Sequence, residues 1–190
     1  MRVLTREEVE LSRIGLSGEI AGGAIFIYPT DTIYGIGCNA LDDRAVSRVR
    51  GIKQRNSKPF SVIVPSKEWI AKNCVVNDEA RRWIDKLPGP YTLILRLKNP
   101  RLLSNAVNCG LETIGVRIPR HWFSGFVMQL GLPVITTSAN ITGGNFMTSL
   151  EDLDVRVSSR VDFIVYDGPL DGRPSTIVNL TGDRAEVTER

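Results

Sequence analysis

The sequence predicts a single α/β domain over residues 1–190, built on a mixed parallel/antiparallel twisted sheet flanked by helices. Three observations predict it. At 190 residues and 42% hydrophobic composition, the chain has the size and apolar content for one sizeable core. Short apolar runs of strand length recur from Ala24 to Thr188. Helical patterns fall among them without the strict alternation of an all-parallel sheet.

Taken in order, residues 5–15 read as a helix with Leu11 and Ile14 on one face, opened by a capping box in which Thr5 is followed by Glu8. Ala24–Tyr28 reads as a buried strand ended by Pro29. Residues 43–54 place Ala45, Val46, Val49 and Ile52 at helical spacing, with Arg44, Arg48 and Arg55 sharing another face. A strand follows at Phe60–Val64, then helices at about 67–72 and 77–86. The turn Pro88-Gly89-Pro90 precedes a strand at Tyr91–Leu97. Further strands are expected at Thr113–Ile118 and Val134–Thr136, separated by a helix at roughly 121–130. The last third reads as a helix near 149–156 and strands at Phe163–Tyr166, Thr176–Leu180 and Ala185–Thr188.

Composition narrows the function. No apolar run reaches the roughly 18–20 residues of a membrane span, and the charged N-terminus has no signal-peptide core, so a cytoplasmic protein is expected. Cys38, Cys74 and Cys109 lack CxxC spacing and suggest neither a disulfide framework nor a zinc site. The net charge of +3 admits an anionic ligand. It is unevenly spread, with six basic and no acidic residues from Arg44 to Lys58. Such a stripe suits a solvated helix face, a phosphate-bearing ligand or RNA.

Three constellations carry chemistry. In the first, Pro29-Thr-Asp-Thr-Ile-Tyr-Gly-Ile-Gly37 follows a strand directly. Gly35 to Ala40 matches GxGxxA, but the intervening Pro29–Thr32 and the basic region beyond it do not suit a dinucleotide site. The segment fits a polar turn in which Thr30 and Thr32 supply hydroxyls and Gly35 and Gly37 let backbone approach a ligand, or a plain structural turn. In the second, Lys53-Gln-Arg55 sets a point charge beside a forked guanidinium, a pairing suited to polyphosphate. No GxxxxGK[ST] loop is present to do that work instead. In the third, the strand ending Thr136-Thr-Ser-Ala-Asn140 runs into small polar side chains, where a ligand or a capped turn supplies the partners. His121 is the only histidine and reads as structural. Chemistry here rests on positioning and charge.

Together these segments resemble the YrdC/TsaC-type threonylcarbamoyl-AMP synthase family. Its PT-x-T-x-Y-G-x-G turn, K-x-R pair, T-x-x-V-R strand and S-x-N motif match Thr30/Thr32, Lys53/Arg55, Thr113–Arg117 and Ser138/Asn140, in order. Leu87–Thr92 resembles its WPGP-x-T stretch, and Pro174–Val178 its E-S-T-V-V strand. The likeness covers roughly residues 20–190. Asn56 stands where the family often has proline, and Pro174 where it has glutamate.

The resemblance implies a YrdC-like α/β fold and a reaction of L-threonine, bicarbonate and ATP giving threonylcarbamoyl-AMP and pyrophosphate. It implies that Lys53 and Arg55 act on the ATP phosphates, in a pocket shared with Ser57, Ser138 and Asn140. Thr113, Thr148 and Arg190 are further nucleotide-side positions. Arg117 would hold threonine's carboxylate, with Thr30, Thr32, Thr136, Ser138 and Ser175 around it. Magnesium would accompany ATP, without a protein-held site. A partner complex would carry the product to tRNA. The extra C-terminal domain of longer members is not expected, and Lys53 and Arg55 are expected to be exposed. The rivals are a tRNA- or double-stranded-RNA-binding module, and the related domain of hydrogenase-maturation carbamoyltransferases, which sits in longer zinc-finger proteins.

Overall fold

A computed structural model describes residues 1–55, 57–170 and 172–189. Its strands are β1 (Arg2–Leu4), β2 (Phe26–Tyr28), β3 (Gly35–Gly37), β4 (Ser61–Ile63), β5 (Tyr91–Arg96), β6 (Thr113–Arg117), β7 (Val134–Ser138), β8 (Phe163–Val165), β9 (Thr176–Asn179) and β10 (Glu186–Thr188). The helices are α1 (Arg6–Leu11), α2 (Arg13–Ala21), α3 (Asp43–Lys53), α4 (Lys67–Asn73), α5 (Asp78–Asp85), α6 (Asn105–Asn108), α7 (Phe123–Leu130) and α8 (Val155–Ser158). A 3₁₀ turn at Leu150–Asp152 occupies part of the segment expected as one helix near 149–156.

The strands form one sheet in the order β1-β8-β2-β3-β7-β4-β6-β5-β9-β10. Pairs β1/β8, β2/β8, β4/β6 and β5/β9 are parallel and the others antiparallel, which is the mixed sheet the sequence predicts. Strand β7 joins two halves, pairing antiparallel with β3 on one side and with β4 on the other.

Each face of the sheet buries its own apolar cluster. Val62, Leu93, Leu95, Ile114, Val116 and Ile135 pack under α3, α4 and α5, where Ala45, Val46, Val49, Ile52, Ile70 and Ile84 are buried. The opposite face carries Phe26, Tyr28, Ile63 and Phe163 under α1, α2 and α7. There the rings of Phe26 and Phe163 stack at 5.1 Å, and those of Tyr28 and Phe123 at 4.9 Å.

Local signals behave as their chemistry dictates, with some corrections. Thr5 and Glu8 form the expected capping box. The helix it opens ends at Leu11, and Ser12 starts a second one. Leu11 and Ile14, the apolar pair that marked one face in the sequence, are 88% and 90% exposed. Val9, Leu16 and Ile20 face the sheet instead, at spacings of seven and four that keep one side of successive turns. Asp42 caps α3 by accepting from the N–H groups of Arg44 and Ala45. Gln54 ends it in the left-handed region at φ 51°, so Arg55 leaves the helix and does not share a face with Arg44 and Arg48. Three elements absent from the sequence reading are the short edge strand β1, the strand β3 within the Gly35–Gly37 segment and the one-turn helix α6.

Gly37 has a packing reason, not a ligand one. A Cβ there would come within 2.5 Å of the Ile135 carbonyl oxygen and 2.8 Å of the Tyr28 ring. Gly35 does border the cavity described below, but it too lies under Tyr28, at 3.0 Å.

Candidate active site

Beside the adjacent strands β3, β7, β4 and β6, the sheet leaves a cavity of about 130 Å³. The register explains it. Ser61 lies opposite both Gly115 and Thr136, while Gly35 lies opposite Ser138. Alternation turns Ser61, Arg117, Thr136 and Ser138 to one side while their neighbours Val62, Val116 and Ile135 enter the core. Gly115 makes room between them, since a Cβ would stand 2.5 Å from Ser61 Oγ and 3.0 Å from Thr92 Cγ2. The lining is mostly hydroxyls, with Arg55, Arg117 and the rings of Tyr34, Phe60 and Phe146.

Arg117 and Asp31 form a buried ion pair at one wall. Nη2 of Arg117 donates to Asp31 Oδ1 at 2.9 Å and to Thr32 Oγ1 at 3.3 Å. The other oxygen of Asp31 accepts the Arg120 N–H at 2.8 Å. The hydroxyls of Thr30 and Thr32 are 2.8 Å apart, and that of Thr30 donates to the Ile33 carbonyl. Across the cavity the hydroxyls of Ser175 and Thr92 meet at 2.7 Å.

Lys53 is 2% exposed, a correction to the solvent-facing side chain expected. Its Nζ donates toward the carbonyls of Ser138 and Asn140, both at 2.6 Å, toward Asn140 Oδ1 at 2.8 Å and Ser138 Oγ at 3.2 Å. Burial first, and then the nearby charge of Arg55, pull this ammonium down to about 7. The Lys53 carbonyl accepts from the Thr142 N–H and hydroxyl, so the residue clamps the whole turn after β7. Arg55 is half-buried over the Phe60 ring at 5.1 Å, and its Nε and Nη2 donate to the carbonyls of Lys58 and Pro59. Arg50 crosses the same ring at 4.5 Å and donates to the carbonyls of Arg55 and Lys58, holding the loop in shape.

The fold therefore gathers Thr30, Thr32, Arg55, Arg117, Thr136, Ser138 and Ser175 around one cavity. Lys53 and Asn140 stand behind Ser138. Other positions lie apart. Ser57 is exposed on the loop before β4. Thr113 starts β6, about 13 Å along the strand from Arg117. The Thr148 hydroxyl is engaged by Asp152. Arg190 and Asn56 lie outside the described residues. Arg44 and Arg48 are not among the lining residues, and Arg48 pairs with Asp162 at 3.7 Å. Asp31, Tyr34 and Ser61 went unassigned in the sequence. Asp31 and Tyr34 fall within the matched turn motif, which is the signal that could have found them.

A mixed sheet with a small hydroxyl-rich cavity, a buried arginine and a second guanidinium at its rim has the chemistry suited to small polar anions or zwitterions. The chain belongs to the Sua5/YciO/YrdC family, whose model, described as "Telomere recombination", matches residues 19–190. A Methanocaldococcus jannaschii protein, provisionally named as a threonylcarbamoyl-AMP synthase, is 40% identical over 173 residues, covering 89% of this chain and 80% of its own. YciO of Escherichia coli, named without an activity, is 30% identical over 87% of this chain and 82% of its own. The structure of Pyrococcus abyssi Sua5 complexed with L-threonine matches with a TM-score of 0.86 at 28% identity. That match covers 98% of this chain and 56% of the Sua5 chain, so this chain spans little more than half of that relative.

Proposed function

We propose that this protein is a threonylcarbamoyl-AMP synthase, converting L-threonine, bicarbonate and ATP to threonylcarbamoyl-AMP, pyrophosphate and water. The carrying observation is the hydroxyl-ringed cavity beside the buried Arg117–Asp31 pair, in a chain that matches a threonine-bound relative over nearly its whole length.

Threonine's amine condenses with bicarbonate to a carbamate, releasing water. A carbamate oxygen then attacks the α-phosphorus of ATP and pyrophosphate departs. Arg117 takes the threonine carboxylate, its guanidinium oriented by Asp31 and Thr32. Thr30, Thr32, Thr136 and Ser175 offer hydroxyls to the amino acid. Arg55 and Ser138 face the phosphates, while Lys53 and Asn140 hold the turn that presents Ser138. No histidine or carboxylate is assigned to proton transfer, so rate enhancement comes from orienting the carbamate and from fixed positive charge toward the leaving pyrophosphate.

Magnesium would come with ATP. Among the described residues no group of three or more metal-ligating side chains is present, and this ion commonly keeps waters and substrate phosphates as ligands. The product would pass to a partner complex that modifies tRNA. Among the described residues, no helix is long and apolar enough to cross a membrane.

The test is mass spectrometry after incubation with threonine, bicarbonate, ATP and magnesium. Threonylcarbamoyl-AMP formed only when all are present is expected. Its absence, together with salt-sensitive RNA retention, would favour the RNA-binding reading.

A further inference from the structure

Tyr34 joins three segments that border the cavity. Its side chain is fully buried, and its ring stacks on that of Tyr166 at 5.6 Å with an interplanar angle of 16°. The Tyr34 hydroxyl donates to the Gly168 carbonyl at 2.6 Å and accepts the Asp167 N–H at 3.0 Å. The Tyr34 main chain donates to the Met147 carbonyl and accepts the Ala139 N–H. The turn motif, the chain after β7 and the described residues 166–170 and 172–175 are thus tied at one residue.

The last of these segments is a partition. On one side Pro174 and Ser175 line the cavity. On the other, Pro169, Leu170, Gly172 and Arg173 wall a second cleft of about 680 Å³. Tyr166 and Leu170 pack against the core, but the rest of the stretch has open space on both sides, so hydrogen bonds are needed to fix where it lies. Leu170 N–H reaches the Thr148 carbonyl, and the Asp167 carboxylate accepts Trp122 Nε1 at 2.7 Å and engages His121 Nε2 at 3.1 Å. Asp167 is partly exposed, whereas the Tyr34 hydroxyl is buried and acts on main chain in both directions. Burial pushes Tyr34 up to about 12, so it stays a phenol able to donate at neutral pH.

We propose that Tyr34 is a positioning residue for the amino-acid end of the site. Its hydroxyl fixes the partition so that Ser175 stands beside Thr92 over the cavity. The kinetic consequence rests on the threonine reading above; the placement of the partition does not.

Tyr34→Phe keeps the ring and its stack and removes one oxygen. The threonine KM should rise about tenfold or more, with kcat and the ATP KM within about threefold. Amide exchange measured without substrate should speed up at Gly168, Leu170, Gly172, Arg173 and Ser175, and stay at the parent rate in α3 and α7. A parent-like threonine KM, an equal rise in the ATP KM, or exchange that accelerates throughout the molecule would each overturn the proposal. If the parent makes no threonylcarbamoyl-AMP, the functional reading fails, and the exchange pattern alone decides whether Tyr34 pins the partition. Should Tyr34→Phe not fold, Asp167→Ala loosens the same segment from its exposed side and must raise the threonine KM selectively. Asp167→Asn, which retains an oxygen for Trp122 and His121, should restore it. An unchanged KM in Asp167→Ala, or no rescue by asparagine, counts against the assignment.

Discussion

Asp31→Ala removes the carboxylate that faces Arg117 inside the molecule. The two side chains are 8% and 9% exposed and their atoms lie 2.9 Å apart, so the pair is largely screened from bulk water. Breaking a pair this deeply buried from one side costs about 3–5 kcal/mol, because the remaining charge stays desolvated. Losing the acceptor for the Arg120 N–H adds about 1 kcal/mol. In a chain of 190 residues, each kcal/mol lowers the melting temperature by roughly 2–4 °C, so a fall of about 8–24 °C is expected. Thermal and urea unfolding followed by tryptophan fluorescence and circular dichroism measure it. Arg117→Ala should be milder, since Asp31 keeps the Arg120 N–H. The double variant should lose less than the two single losses added together. A melting temperature for Asp31→Ala within about 2 °C of the parent would refute the reasoning.

Lys53 is held near 7 in the folded protein against about 10.4 unfolded. Its buried charge is therefore a penalty, fully felt below pH 7 and relieved as pH rises toward 10. Relative to Lys53→Met, the parent should gain about 1–2 kcal/mol between pH 7 and 8.5; a constant difference sinks the assignment. Arg55→Ala should lower turnover by about 10²-fold, with smaller losses in ATP affinity and stability. Turnover close to the parent's in folded protein would remove Arg55 from the mechanism. Charge reversal at Arg44 and Arg48 should leave synthesis of the intermediate nearly unchanged, as neither lines the cavity. A loss comparable to that of Arg55→Ala would place the basic stripe in the active site after all.

Much of the architecture was legible because its signals are local. The capping box at Thr5 and the spacing of Ala45, Val46, Val49 and Ile52 are properties of neighbouring residues. Strand β3 was not, because Gly35-Ile-Gly37 reads as a turn until Tyr28 is seen lying across the two glycines. Leu11 and Ile14 mimic an apolar stripe over a short window; only Leu16 and Ile20, further along, reveal which face meets the sheet. In the site, residue types that suit an anion pointed to Lys53 and Arg55, and the family resemblance pointed to Arg117. The burial of Lys53 depends on the end of β7, some 85 residues away. No periodicity encodes such a contact. Asp31 escaped for a related reason: an acidic side chain next to an anion's site looks misplaced until its arginine is found.

Strand β8 lies between β1 and β2, and this has a consequence for the protein during its synthesis. After Tyr28 is made, β2 can find β3 early, but its other neighbour is not assembled until Phe163–Val165 leave the ribosome. At typical translation speeds that delay is on the order of ten seconds. Throughout it Phe26 lacks the ring of Phe163, and β1 has no strand to pair with. Ser175 arrives later still. A nascent chain halted after β7 would own Arg117, Thr136 and Ser138 but no partition over them. Strand β7 can join the two halves earlier, but both edges of the sheet are completed only near the end of translation, with a long interval in which chaperones can recognise the uncovered aromatic edge.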